Sequence, residues 1–241
     1  MDKLHVYTIV WNEEYMIKYY LRYYETVADR IFVIDDKSTD KTRKIVKACR
    51  KATLLKYPFP TGFNEYDKTT CLATEYRKHS RGKAEWVIVG DCDEFLYHPD
   101  LRNFLDLRRS QGRRAIKATG HFFASKEIPD TDGQLFDAMP YRLRLRKTKA
   151  SYDREVLFDP KLDVQFINGC HPPTKFSEGV VAGRCGLSLY HCCYLSKQWI
   201  IDHMDRRISR MNDQNYKNHY LKNRNYMLQK AFAVYDRMIN A

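Results

Sequence analysis

The chain has 241 residues, of which 44% are hydrophobic, and a formal net charge of +12, which is enough for one large α/β domain with a sizeable core. That charge directs attention to anionic partners: nucleic acid, an anionic membrane face or phosphorylated substrates. There is no zinc-finger spacing and no RNP-type aromatic signature, which argues against a nucleic-acid module, and no apolar run approaches the roughly 20 residues that span a bilayer.

Seven cysteines, Cys49, Cys71, Cys92, Cys170, Cys185, Cys192 and Cys193, form neither a CxxC pair nor a disulfide scaffold. Reduced thiols are the simplest reading. The opening Met1-Asp2-Lys3-Leu4-His5-Val6 lacks the charged-then-apolar pattern of a signal peptide. A cytoplasmic protein is therefore expected, with any membrane contact peripheral. The 18 tyrosines are expected at the surface or lining a groove.

In chain order, Val6 to Val10 reads as a short buried strand. Asn12 is placed to cap a helix, with Glu13 and Glu14 in its first turn, where the helix dipole favours acids. Ile31 to Ile34 is a second strand, ending in Asp35 and Asp36. Ser38 or Asp40 then caps a helix running to Cys49. Thr53 to Tyr57 is a third strand. Pro58, Pro60 and Gly62 mark a loop, followed by a helix around 64–80 and a fourth strand at 86–90. This alternation predicts a mostly parallel α/β sheet with right-handed crossovers.

A helix from Pro99 and Asp100 to about Ser110 follows, then a strand from Ala115 to Phe123. Between 124 and about 195, Pro, Gly and polar turns separate short strand-like pieces at 141–146, 156–158 and 187–191. This part is expected to complete the same sheet in antiparallel or mixed fashion. From Lys197 the chain reads as helical. Ile200, Ile201, Met204, Ile208 and Met211 form an apolar stripe, and Arg206, Arg207 and Arg210 off it read as a solvated face. The last 25 or so residues give a second helix by the same periodicity. The organisation expected is a single domain, with a nucleotide-binding half at 1–98, an acceptor-binding half at 99–195 and a helical segment at 196–241.

Two acidic strand ends stand out: Asp35-Asp36 after the second strand and Asp91-Cys92-Asp93 after the fourth. In a parallel sheet both open on the carboxyl edge, where open α/β sheets bind ligands. One carboxylate can accept hydrogen bonds from a base or ribose hydroxyl, while the other pair holds a cation. Hard oxygen ligands so close together suit Mg²⁺ or Mn²⁺ on a phosphate-bearing substrate. The plainer reading is an acidic turn that caps the next helix. Neither GxxxxGK[ST] nor GxGxxG occurs, which disfavours P-loop NTPases and Rossmann dehydrogenases. Phosphate would then be held by metal and basic side chains.

These residues carry a resemblance. Val10-Trp11-Asn12-Glu13-Glu14 and Val33-Ile34-Asp35-Asp36-Lys37-Ser38-Thr39-Asp40-Lys41-Thr42 resemble the nucleotide-binding opening of glycosyltransferase family 2. Cys71, Trp86-Val87 and Gly90-Asp91-Cys92-Asp93-Glu94-Phe95-Leu96 resemble its Asp-x-Asp segment, closest to the branch related to family 92. Phe122-Phe123-Ala124-Ser125, His171-Pro172 and His191 with Tyr194-Leu195-Ser196-Lys197 fit that branch more loosely. The resemblance implies a GT-A fold and a metal-dependent transferase that moves a sugar from a nucleotide donor, most often a UDP-sugar, to a glycan or lipid-linked hydroxyl.

By the same resemblance, Val10, Trp11, Asn12, Glu13 and Asp36 contact the base, with Asp35 and Ser38 supporting that pocket. Asp91 and its neighbour Cys92 face ribose and metal, Asp93 ligates Mn²⁺ or Mg²⁺, and His191 completes the metal site. Two departures touch this scheme. Arg154 stands where the branch often has a lysine, and His191 is followed by Cys192 in place of tyrosine. An inverting transferase, the expected outcome, needs a base for the acceptor hydroxyl. His171 in the segment Asn168-Gly169-Cys170-His171-Pro172-Pro173 is the first candidate and Asp153 the second. A retaining mechanism would need no such base. Two other classes remain open on the residues alone: metal-dependent nucleotidyl transfer, and a non-catalytic basic module for polyanions.

Overall fold

A computed structural model describes residues 2–60, 62, 64–144, 152–167, 171–211 and 214–240, with backbone alone for 167, 171–174 and 215–216. The elements alternate as expected as far as the fourth strand. They are β1 (Asp2–Val10), α1 (Met16–Val27), β2 (Arg30–Asp35), α2 (Thr42–Ala48), β3 (Ala52–Lys56), α3 (Glu65–Ser80) and β4 (Ala84–Val89). Then come β5 (Glu94–Tyr97), α4 (Leu101–Ser110), β6 (Ala115–Ala124), β7 (Tyr141–Leu143), β8 (Arg154–Phe158), β9 (Val164–Ile167), β10 (His171–Phe176) and β11 (Gly183–Tyr194). Helices α5 (Lys197–Ser209) and α6 (Gln214–Ile239) close the chain.

Nine strands form one sheet in the order β3-β2-β1-β4-β8-β6-β11-β5, with β7 added beside β6. Strands β1 to β4, β6 and β11 run one way; β5, β7 and β8 run the other. The fold is thus α/β with a mostly parallel, mixed sheet. Central strands are covered on both faces, so they read as continuous apolar runs: Val6, Ile31, Val33, Trp86, Val87 and Val89 are fully buried.

Expectations for Asn12 and for the tyrosines are corrected, and the plainer reading of the acidic turn is set aside. Asn12 does not cap α1. It sits at φ 50°, and its side-chain carbonyl accepts the Thr39 N–H at 2.7 Å, so it ties the β1–α1 loop to the β2–α2 loop. Ser38 serves the same junction, accepting the Asn12 N–H at 2.9 Å, while Asp40 accepts the Thr42 N–H at the start of α2. The tyrosines are also not chiefly superficial. Tyr7, Tyr19, Tyr20, Tyr23, Tyr24 and Tyr76 are buried. The hydroxyls of Tyr23 and Tyr24 donate to the carbonyls of Leu96 and Glu94, which satisfies a polar tip inside an apolar layer. Finally, the acidic turn after β4 caps no helix: the next element is β5, and α4 has its own cap in Asp100.

The antiparallel strands set up the site. β8 runs against β4, pairing Ile88 with Leu157, so its start at Arg154 arrives beside the end of β4. β5 runs against β11 and pairs Glu94 with His191. Gly120 in β6 allows the close approach of the chain before β8: a Cβ there would lie 2.1 Å from the Tyr152 carbonyl oxygen. Overpacking of this kind costs about 1–3 kcal/mol. Gly120→Ala is therefore expected to lower the melting temperature by roughly 2–12 °C, and a melting curve that matches the parent would contradict this packing.

Candidate functional site

At the carboxyl edge of the parallel strands, a cavity of about 390 Å³ opens between the end of β1, the turn after β4, α3 and α5. Val10, Trp11, Glu13, Asp91, Cys92, Asp93 and His191 all line it. Residues far apart in sequence are thus gathered by topology: parallel strands end on one edge, and β11 delivers His191 to that edge from the other half of the sheet.

The turn carrying Asp91 and Asp93 is tightly held. Glu94 N–H donates to the Asp91 carbonyl at 3.1 Å, and Cys192 N–H to the Asp93 carbonyl at 2.9 Å. The Glu94 carboxylate folds back to accept the Asp91 N–H at 3.1 Å. It also accepts the Tyr152 hydroxyl and pairs with Arg154 at 2.9 Å. The Tyr152 ring stacks on His191 with centroids 4.4 Å apart. Glu94 is therefore part of the frame, and it holds the two aspartates from behind.

Asp91 pairs with Lys68 of α3 at 2.5 Å. Burial works against its ionisation, but Lys68 and Arg154 outweigh that and hold its carboxyl well below the ordinary range. Asp93 lies 3.1 Å from His191 Nε2. Burial opposes its charge too, and His191 holds it below the ordinary value. On the other side of that pair, burial would push His191 down, yet Cys193 and Asp93 raise it well above the usual imidazole value. Burial pushes Glu13 up to about 8, against the pull of Arg206 and with Asp93 adding to it.

Asp35 and Asp36 sit just behind the cavity. Asp35 accepts the Ser38 N–H at 3.2 Å and faces Arg43 at 3.5 Å. Asp36 is buried; one carboxylate oxygen accepts from Arg210 and the Gly62 N–H, and the other has no described partner. The Arg210 guanidinium also lies 4.2 Å from the centre of the Trp11 ring. Asp36, Trp11 and Arg210 therefore form one contact group.

Sequence reasoning missed the basic side of the site. Arg206, Arg207 and Arg210, read as a solvated face, line the cavity instead. Arg206 donates to the Asn12 carbonyl at 3.0 Å, and Arg207 pairs with Glu65 at 3.1 Å. Lys68, Glu65, Trp199 and His203 were also not singled out. The signal that could have found the arginines is their spacing at 206, 207 and 210 on one helix face, beside the apolar stripe.

The candidate bases fare differently. Asp153 does not line the cavity: its carboxylate accepts the Gly120 N–H at 3.0 Å and pairs with Arg184. His171 begins β10, paired with Ile167 in a separate two-stranded sheet. Its side chain and the segment 168–170 lie outside the described residues.

Among the described residues, no three His, Cys, Asp or Glu side chains converge as a ready-made metal cluster. Asp91, Asp93 and His191 share the cavity, but Asp91 is turned to Lys68. This donor set still fits Mg²⁺ or Mn²⁺, because such ions bind through one or two carboxylates together with substrate phosphates and water.

No family model matches the sequence, and no curated protein does. Solved structures are similar to it. The crystal structure of S. aureus TarS 1-349 aligns over 89% of this chain and 68% of that one, at 14% identity and a TM-score of 0.45. Glucosyl-3-phosphoglycerate synthase from Mycobacterium tuberculosis, in complex with Mn²⁺, uridine diphosphate and glucosyl-3-phosphoglycerate, aligns over 49% of this chain at 19% identity and a TM-score of 0.38. This chain spans 44% of the length of that enzyme. Among the described residues, no helix is long and apolar enough to cross a membrane.

Proposed function

We propose that this chain is a metal-dependent glycosyltransferase of the GT-A type that takes a sugar from a UDP-sugar and passes it to a hydroxyl on a glycan or lipid-linked acceptor. One observation carries the reading. A single cavity at the carboxyl edge joins the Asp91-Cys92-Asp93 turn to the loop after β1, with Asp36 directly behind it. Paired acids, a buried carboxylate with one unpartnered oxygen among the described residues, and a row of cations suit a base, a diphosphate and a divalent ion.

On this reading Asp93 and His191 would hold Mn²⁺ or Mg²⁺. The ion, when bound, offsets the negative charge that grows on the departing diphosphate. The chain's own groups do the positioning. Lys68 keeps Asp91 ionised and pinned, Asn12 and Ser38 lock the two nucleotide-side loops together, and Trp11 offers an aromatic face backed by Arg210. Helix α5 forms one wall of the cavity through Trp199, His203 and Arg206.

Thermal shift tests this directly, since a ligand that binds the native state raises its apparent stability. UDP together with Mn²⁺ is expected to raise the melting temperature, and UDP without metal to do so much less. A response to nucleoside triphosphate but not UDP would replace this reading with nucleotidyl transfer. A response to polyanions alone would replace it with a binding module.

A further inference from the structure

Five basic side chains line the cavity: Lys68, Arg154, Arg206, Arg207 and Arg210. Four of them face protein carboxylates: Lys68 meets Asp91, Arg154 meets Glu94, Arg207 meets Glu65 and Arg210 meets Asp36. Arg206 is the exception. Among the described residues no carboxylate lies within ion-pair distance of it. Its Nη1 donates to the Asn12 carbonyl at 3.0 Å, and its guanidinium lies 5.5 Å from the centre of the Trp199 ring.

A guanidinium carries five N–H donors in a rigid fork and keeps its charge at any working pH. One carbonyl contact leaves most of that fork open. The other arginines of this helix end tie it to the nucleotide-side half through charge pairs that are already complete. Arg206 is anchored by a backbone carbonyl, which fixes its position and leaves its charge uncompensated. It is half-buried, so solvent screens that charge less well than at the surface. Its anchor belongs to the β1–α1 loop, and its field reaches Glu13 beside that anchor and His203 one turn earlier on α5. A forked cation held in this way matches a phosphate group, which accepts two parallel N–H donors.

We propose that Arg206 binds the diphosphate of the nucleotide donor. The proposal rests on the reading of this cavity as a nucleotide-sugar site. It separates the roles of the three arginines: Arg207 and Arg210 seat the end of α5, whereas Arg206 recognises ligand charge. The Trp199 ring and the Asn12 carbonyl hold the guanidinium in place before the ligand arrives.

Calorimetric titration of the full chain with UDP, inorganic pyrophosphate and uridine, each in the presence of Mn²⁺, tests it. Loss of a charge-assisted contact is expected to weaken UDP and pyrophosphate binding roughly ten- to hundredfold in Arg206→Gln. Uridine, which has no phosphate, is expected to bind the variant and the parent alike. Arg206→Lys, which keeps the charge and loses the fork, is expected to fall between the two. Parent-like UDP affinity in Arg206→Gln would overturn the proposal, and so would an equal loss of uridine and UDP, which would mark Arg206 as a structural strut. If the parent protein bound neither UDP nor pyrophosphate, the nucleotide-sugar reading itself would fall, a result that the variants cannot mimic.

Discussion

Replacing Asp93 by Asn is expected to abolish metal-dependent release of UDP from a donor sugar while the chain still folds. The backbone of Asp93, more than its side chain, joins the β4 turn to β11, because its carbonyl accepts the Cys192 N–H at 2.9 Å. The carboxylate faces His191 at 3.1 Å. Asn keeps the shape and removes the charge. A divalent ion contributes several kcal/mol of charge stabilisation to a reaction of this kind, so weakening its site should lower turnover by roughly three orders of magnitude. The loss in stability should be much smaller, because His191 can release its proton once its carboxylate partner is gone. Donor hydrolysis with and without Mn²⁺, beside a thermal melt, checks both halves. Metal-dependent turnover within tenfold of the parent would remove Asp93 from the proposed role.

The sequence showed the side of this site formed by the ends of β2 and β4 more clearly than its other walls, for reasons that lie in particular residues. Asp91 and Asp93 follow an apolar run that cannot continue through them, so the end of β4 and its acids could be read from local pattern alone. Asp35 and Asp36 end β2 in the same way. Parallel strands separated by helices then place both acidic ends on one edge without knowledge of any side-chain contact. Glu94 follows the two aspartates directly in the family-like segment. Its role in the frame depends on Arg154, sixty residues later, and local pattern carries no information about that partner. β5 was missed for a related reason: an acid at its first position breaks the apolar signal of a four-residue strand.

The arginines of α5 show a different limit. A helix wheel separates an apolar stripe from a charged face, but it does not say whether water or another part of the protein lies opposite the charged face. Here the fold brings that face over the carboxyl edge, so Arg206, Arg207 and Arg210 meet Asn12, Glu65 and Asp36. Asp153 illustrates the reverse situation. It lies one residue before Arg154, which lines the cavity, yet its own carboxylate is taken up by Gly120 and Arg184. Adjacent residues at the start of a strand point to opposite faces, so closeness in sequence to a site is weak evidence of membership.

Replacing Arg154 by Met, or Glu94 by Leu, should produce the largest losses of stability among single changes near the cavity. The Arg154 and Glu94 side chains are 3% and 1% exposed and lie 2.9 Å apart. Removing one partner of a buried pair leaves the other charge uncompensated and costs about 3–5 kcal/mol. Glu94→Leu should cost a similar amount, and here the contrast with Asp93 matters: an arginine cannot shed its proton as His191 can. The double variant Glu94→Leu with Arg154→Met should recover much of the stability, since apolar groups of similar volume often replace a buried pair without net loss. Function should not return with it. The Glu94 carboxylate also accepts the Asp91 N–H at 3.1 Å and the Tyr152 hydroxyl, and Tyr152 stacks on His191. A leucine can fill that space but accepts neither bond, so the turn holding Asp91 and Asp93 loses its support. Chemical denaturation of the three variants, together with Mn²⁺-dependent UDP binding, separates the two roles. A double variant that regains both stability and UDP affinity would show that the pair acts only as packing.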